Sequence, residues 1–476
     1  PVLSRRIEVI ESLPLPIRGA QTRNFEFTKL LESGKSKTLR HENLTVQMVS
    51  RPAWYAVMAL PYLMEYPHEC SEQVFNRLYA NLLAQHIANS DPGIRNVFDQ
   101  WKNTPALDSP MEKNQDLKSV MIEETPWLRQ AQDESQARCN VGVLFDANRI
   151  TDETSRAFSK LEQMQLGNGL WPWFPGFRGD EYITLYITTG FGRLRHLGAK
   201  DVDMSAAIKA LGALDTWMDD RYRYILKHGD KDINHLDSTI AFYLYGRSFF
   251  LEDKAVAKEH QEALKYWLGQ ASNYWLDLGW RQSQGHLAIG LKRFGDGKTP
   301  LDIMKSIKER SVSNEELGLF WRDQELSWWW YRAPIETQAL MIEAFDEVMG
   351  DTQAMEDAKV WLLKQKQTQD WKTTRATADA IYGLLLRGTN LLAGDALVEV
   401  RLGGEAINPE KVEAGTGFYE QKFVRGEIKP EMGMITVIKT DGGVSWGSVH
   451  WQYLEDMTKV TPYEGTPMKL KKALYR

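Results

Sequence analysis

Hydrophobic and polar residues alternate near both ends of the chain, whereas the long middle part places its apolar residues three or four apart. Alternation covers residues 24–27 and 44–49 near one end, and 397–402, 434–438 and 445–451 near the other. A period of two predicts half-buried β-strands. Since neither end alone has enough strands for a stable sandwich, we expect the two ends to form one antiparallel β-sandwich.

The middle part predicts a repeated helical hairpin. Segments rich in small and apolar residues begin at 183, 238, 285, 334 and 376, and an amphipathic segment precedes each of them. The intervals of 55, 47, 49 and 42 residues between these starts are typical of stacked helical hairpins. A further hairpin around residues 54–90 would make six, which favours an α/α toroid. An open solenoid is the alternative.

The sequence therefore predicts a mainly α fold, an α/α toroid of about six helical hairpins inserted in a small antiparallel β-sandwich. We expect residues 1–50 and 393–458 to be the two halves of the β domain, 51–392 the toroid, and 459–476 the start of a further segment. Because the pattern begins and stops abruptly, we expect the sequence to be a piece of a longer protein.

Composition excludes several classes of function. Hydrophobic residues make up 43% of the 476 residues and charged residues 26%, which is ordinary for a globular protein with a core. The net charge of -6 is too small to favour nucleic acid or an anionic membrane as a partner. No apolar run reaches the ~18–20 residues of a membrane span. The 17 tryptophans indicate either packing between helices or a sugar-binding cleft.

The informative motif contains one of only two cysteines, Cys70 and Cys139, a number that excludes a disulfide framework or a cysteine-rich zinc site. Cys70 and Gln73 stand at the predicted start of a helix with a continuous apolar stripe. Residues three apart on a helix are neighbours, with Cβ atoms ~5–6 Å apart. Loss of ammonia could then join Cys70 Sγ to the side-chain carbonyl carbon of Gln73.

Such a thioester is an acylating agent, and the helix N-terminus would favour both its tetrahedral oxyanion and the departing thiolate. Tyr62, Met64 and Tyr66 are candidate apolar covers that would shield the bond from water. The simpler alternatives are that Cys70 is a buried structural cysteine, or that it pairs with Cys139. His68 could contact the site, although a surface turn residue is the simpler interpretation.

Around this motif the sequence resembles the bacterial branch of the α2-macroglobulin and complement thioester family. The resemblance is carried by LPYLMEYPHECSEQ at 60–73, GLWPWFPG at 169–176 and WKTTRATADA at 371–380, and it covers about residues 40–455. It implies a toroid thioester domain within a CUB-like β domain, with the thioester between Cys70 and Gln73. One departure is Glu69, which stands where the family usually has glycine.

The resemblance also implies a function, that of a single-turnover protease trap rather than an enzyme. Cleavage of a bait region elsewhere in such a protein releases the thioester, which acylates a lysine amine of the attacking protease. It implies no cofactor, metal or nucleic acid, further domains in the full-length chain, and a periplasmic or cell-surface location with or without a lipid anchor. Complement-like relatives add a histidine that redirects acylation to hydroxyls. His235 is the candidate acyl-transfer base here, and a solvated loop histidine is the simpler interpretation.

Two other functions compete with the trap. The acid pairs Asp219-Asp220 and Glu315-Glu316 could serve a carbohydrate-active toroid with an aromatic cleft. Adjacent acids on a helix point about 100° apart, however, and are more often solvated. The last alternative is a structural module of the same architecture that forms no thioester. The spacing of His and Cys indicates no zinc site of the kind found in prenyltransferase-like toroids.

Overall fold

The computed structural model describes residues 5–64, 69–90, 94, 96–98, 100, 147–199, 202–315, 317–322, 333–368, 371, 373–387, 392 and 396–460. The chain divides into a helical unit, residues 51–394 with 414–416, and a β unit formed by 1–50, 395–413 and 417–476. The helical unit is thus inserted in sequence between two parts of the β unit. The predicted fold class, mainly α with a small antiparallel β part, is confirmed.

The β unit contains two antiparallel four-stranded sheets, ordered β1-β10-β3-β8 and β2-β9-β6-β7. Side chains from both sheets, among them Leu15, Val46 and Val437, belong to one buried hydrophobic cluster. The strands are β1 (Arg6–Arg18), β2 (Gln21–Glu26), β3 (Arg40–Val49), β6 (Glu399–Leu402), β7 (Glu405–Ala406), β8 (Tyr419–Val424), β9 (Met434–Lys439) and β10 (Val444–Asp456). The short pair β4 (Val312–Asn314) and β5 (Gly318–Phe320) lies in the helical unit.

Strand β1 joins the two ends of the chain, because it pairs with β10 along its whole length from Arg6↔Asp456 to Arg18↔Val444. It also contains Pro14 and Pro16. Proline cannot donate to a ladder, and β1 tolerates both because it is an edge strand of its sheet.

Within the described residues, the helical unit is built on a closed ring of six inner helices, each of which packs against the next, with the last returning to the first. The predicted toroid is therefore a ring and not an open solenoid. The inner helices are α4 (Ser71–Ser90), α6 (Glu181–His196), α8 (Ser238–Ser248), α10 (Arg281–Arg293), α12 (Pro334–Ala344) and α14 (Thr374–Leu385).

The other described helices of this unit flank that ring; α5 packs on α4, α7 on α6, α11 on α10 and α13 on α12. They are α2 (Trp54–Met58), α3 (Leu60–Met64), α5 (Ala147–Met164), α7 (Ser205–His228), α9 (Gln261–Tyr274), α11 (Thr299–Glu309) and α13 (Thr352–Thr368), whereas the short α1 (Thr28–Leu31) belongs to the β unit. Among the described residues, no helix combines the length and the hydropathy that a bilayer span requires.

Glycine allows close packing between inner helices, and buried polar contacts link them. A Cβ atom added at Gly190 of α6 would lie 2.2 Å from the ring of Phe75 on α4, so only glycine fits there. In the interior, Arg193 of α6 donates to Asp379 of α14 at 2.5 Å and to the hydroxyl of Tyr245 on α8 at 3.0 Å. The centre of the ring is thus a buried polar network linking three inner helices.

Removing one partner of this network is expected to destabilise the helical unit. Asp379→Ala leaves the buried guanidinium of Arg193 without its carboxylate, which typically costs about 3–5 kcal/mol of unfolding free energy. Urea unfolding followed by circular dichroism measures the loss. The control is Glu153→Ala, which removes an exposed ion pair with Arg156 and should cost less than about 1 kcal/mol. Equal losses in the two variants would contradict the role of the buried pair.

Candidate functional site

Cys70 is the residue from which helix α4 starts. Its carbonyl oxygen accepts the first helical hydrogen bond, from the Val74 N–H at 3.0 Å, so Cys70 occupies the N-cap position. The side chain of Gln73 folds back, and its Oε1 accepts a long hydrogen bond of 3.4 Å from the Cys70 N–H. This is the return contact of a capping box, in which the third helical residue reaches the N-cap N–H. It places the Gln73 carboxamide beside Cys70.

The first turn of α4 is docked on the loop between α5 and α6. The Ser71 N–H donates to the carbonyl oxygen of Trp173 at 3.0 Å, and the Ser71 hydroxyl donates to that of Pro172 at 2.5 Å. Ser71 is fully buried, and Cys70 is 6% exposed. A helix N-terminus normally leaves its first N–H groups to solvent, whereas here the loop binds one of them and covers the start of the helix.

That loop is itself held rigidly. Trp171 is fully buried, its indole N–H donates to the Leu161 carbonyl of α5, and its backbone N–H donates to the Thr184 hydroxyl of α6, both at 2.9 Å. Gly169 has φ +94°, and a Cβ atom there would lie 2.7 Å from the Lys209 carbonyl oxygen. The carbonyl groups that bind Ser71 are therefore fixed by contacts with α5, α6 and α7.

A second anchor reaches the same turn from the last inner helix. Glu72 accepts a hydrogen bond of 2.7 Å from the Thr374 hydroxyl of α14, and one of 3.0 Å from the Asn76 side chain one turn later. Asn76 in turn accepts from the Tyr186 hydroxyl of α6 at 2.7 Å. No sequence motif indicated these partners, although Thr374 lies in a segment that carries the family resemblance.

Burial has the largest effect on the pKa of the Cys70 thiol. Removal from water raises the pKa of the Cys70 thiol, and hydrogen bonding by the backbone N–H groups of Gln73 and Glu72 lowers it by less. The expected influence of the helix N-terminus is therefore present, but burial outweighs it. In this closed arrangement Cys70 is a weaker acid than an ordinary cysteine.

Of the three candidate cover residues, Tyr62 and Met64 lie within the described residues. Tyr62 of α3 is 41% exposed, and Met64 is partly buried at the end of the same helix. Tyr66, the third candidate cover, lies outside the described residues, as do His68 and Cys139.

His235, the candidate acyl-transfer base, lies in the loop between α7 and α8. Its ring Nε2 bonds to the carbonyl oxygen of Asp230 at 2.6 Å, and its backbone N–H donates to Gln270 Oε1 at 2.8 Å. These partners belong to its own loop and to α9, so the contacts found within the described residues do not link it to Cys70.

Glu69 has a partner that the sequence did not reveal. It forms an ion pair with Lys160 of α5, and hydrogen bonding by Lys160 lowers the pKa of the Glu69 carboxyl. Both side chains are accessible, 55% exposed for Glu69 and 36% for Lys160. An amine is thus held against the residue that directly precedes Cys70.

Some of the residues that suggested a carbohydrate-active enzyme, namely Asp219 and four tryptophans, form ion pairs or pack in the core. Asp219 is buried and pairs with Arg223 at 2.8 Å and His260 at 2.9 Å, whereas Asp220 is exposed. Glu315 is exposed, and Glu316 lies outside the described residues. Four tryptophans are fully buried packing residues: Trp54, Trp171, Trp267 and Trp451.

One group of described residues has the composition of a metal site, namely His196, Glu343 and Glu347. Arg293 donates to both carboxylates, at 2.7 Å to Glu343 and 2.5 Å to Glu347. Because the guanidinium of Arg293 already binds both carboxylates, the group is better described as a partly buried ion-pair network.

Among solved structures, bacterial α2-macroglobulins are similar to this chain. Native Escherichia coli α2-macroglobulin, from domain MG7 to the C-terminus, is 14% identical with a TM-score of 0.43 and covers 96% of this chain. The E. coli protein activated by porcine elastase is 12% identical with a TM-score of 0.49 over 94%. Salmonella α2-macroglobulin reacted with methylamine is 13% identical with a TM-score of 0.42 over 96%.

This is the family that the sequence motifs resemble, but the degree of similarity is low. The chain spans 58% of the first of these chains and 32% and 24% of the other two. No protein-family model matches the sequence, and no curated protein is similar enough to match it. The activity has to be inferred from the residues of the site.

The effect of burial on Cys70 can be measured in Gln73→Ala, which has no carboxamide with which to form a thioester. We expect the alkylation of Cys70 by iodoacetamide to rise with a midpoint above the ~8.5 of an ordinary thiol, because burial disfavours the thiolate. The variant also carries Cys139→Ser, so that Cys70 is its only thiol. The comparison is a chain in which Cys70 is replaced and Cys139 is the only thiol. A midpoint below ~8.5 would show that the helix N-terminus dominates instead.

Proposed function

We propose that Cys70 and Gln73 form an internal thioester, and that the chain is the acylating part of a bacterial α2-macroglobulin-like protease trap. The observation that carries the proposal is the return of the Gln73 side chain to the N-cap residue. It brings the carboxamide and the thiol-bearing residue together at one buried helix start. Condensation would join Cys70 Sγ to the Gln73 carbonyl carbon and release ammonia.

The same contact supports the acyl transfer. When an amine attacks that carbon, negative charge develops on Gln73 Oε1, which faces the Cys70 N–H. A preorganised backbone donor stabilises such an oxyanion. The bond to Sγ then breaks, and Cys70 leaves as a thiolate while the amine loses its proton.

Burial would keep this chemistry latent. The raised pKa of the Cys70 thiol makes it a poor leaving group while the Pro172–Trp173 segment covers the helix start. Exposure of the site would remove the cause of that shift and accelerate transfer. In the proposed trap, cleavage of a bait region in another part of the protein provides this exposure, and a lysine of the protease is the acceptor. The resemblance further suggests a periplasmic or cell-surface location.

The proposal is tested by intact mass and thiol titration with and without methylamine. We expect the untreated chain to be one ammonia lighter than its sequence, and methylamine to add one equivalent while releasing one new thiol. Cys70→Ala should show neither change, and Cys139→Ser should behave as the unaltered chain. An untreated chain at full sequence mass with a reactive Cys70 would contradict the thioester and leave the structural-module alternative.

A further inference from the structure

A thioester at Cys70 would stand next to an amine of the same chain. Lys160 Nζ contacts the carboxylate of Glu69, and the Cα atoms of Glu69 and Cys70 are only ~3.8 Å apart because the residues are adjacent. Lys160 projects from α5, which packs along α4. A group tethered in this way has an effective concentration of millimolar order or higher, which rivals any amine arriving from solution.

The amine of Lys160 could consume the thioester that the trap needs. Neutral Lys160 Nζ could attack the Gln73 side-chain carbonyl carbon and break the bond between that carbon and Cys70 Sγ. The lysine proton would pass to the thiolate, leaving an amide between the two side chains and a free thiol. A chain that had reacted in this way could no longer acylate a protease.

We propose, on the basis of the thioester function above, that Glu69 is a positioning residue that holds Lys160 away from the acyl carbon. The ion pair fixes the ammonium on the carboxylate, and an ammonium has no lone pair with which to attack. The hydrogen bond from Lys160 lowers the pKa of the Glu69 carboxyl, so the carboxylate stays ionised throughout the neutral range and is protonated only as pH falls through that lowered pKa.

The pair is accessible to solvent, which limits its strength. Exposed ion pairs change equilibria by a small factor, so we expect roughly a two- to fivefold effect on the rate of self-acylation. That factor matters for a bond that reacts once and has to survive until it is triggered. The proposal assigns a function to the carboxylate at a position where the resembled family usually has glycine.

The test follows Glu69→Gln beside the unaltered chain during storage at neutral pH. We expect Glu69→Gln to lose its methylamine-reactive fraction two- to fivefold faster, with a new Cys70 thiol and a cross-linked peptide joining Lys160 to Gln73. Intact mass should stay one ammonia below the sequence, because thioester and internal amide have the same mass. The thiol and the cross-linked peptide distinguish them.

Three further variants separate positioning from general damage. Glu69→Asp keeps a carboxylate and should restore much of the stability of the thioester. Glu69→Gln combined with Lys160→Arg should keep methylamine reactivity, because a guanidinium is not an effective nucleophile at neutral pH. Glu153→Gln removes an ion pair elsewhere on α5 and should behave as the unaltered chain.

Several results would overturn the inference while leaving the thioester intact. One is that Glu69→Gln retains its methylamine reactivity. Another is that it loses this reactivity by gaining one water, which would make Glu69 a shield against hydrolysis. A Lys160–Gln73 cross-link that forms as fast in the unaltered chain as in Glu69→Gln would show that Glu69 does not restrain the lysine. An unaltered chain at full sequence mass, by contrast, contradicts the proposed function itself and this inference with it.

Discussion

The geometry of the candidate site depends on where helix α4 begins, and that point is fixed from two directions. The loop before α6 binds Ser71 through the carbonyl oxygens of Pro172 and Trp173. Thr374, 302 residues further along the chain than Glu72, binds the next position from α14. Because α14 reaches α4 only when the ring of inner helices closes, the anchoring of the first turn of α4 by Thr374 depends on the whole toroid.

Two opposing electrostatic effects meet at this helix start. The N-terminal N–H groups favour a thiolate, and burial disfavours it more strongly, so the net effect is a thiol of raised pKa. The backbone donor that faces Gln73 Oε1 is retained in the buried state. In the proposed thioester, this donor would stabilise the oxyanion while burial restrains the leaving group, so that a change in solvent access would alter reactivity.

Local periodicity was sufficient to predict the mainly α class, the ring of hairpins and the flanking strands, because buried faces impose a regular spacing. Strands β1, β7 and β8 of the β unit were not singled out, and in β1 two prolines interrupt the usual strand pattern. The proximity of Cys70 and Gln73 could be predicted because helix geometry relates residues three apart. The contacts of Glu69 with Lys160 and of Glu72 with Thr374 could not, since they join residues distant in sequence and depend on tertiary packing.

The pairing of β1 with β10 also implies a delay during protein synthesis, because the two strands are far apart in sequence. Ser12 of β1 and His450 of β10, which form a hydrogen bond of 2.7 Å, are separated by 438 residues. At a synthesis rate of about 5–20 residues per second, β1 waits roughly 20–90 s for its partner while the helical unit is translated. An unpaired strand is a template for association with other chains, and proline on an edge strand hinders such pairing. Pro14 and Pro16 remove two backbone donors from β1, which makes this strand a poorer template for such association.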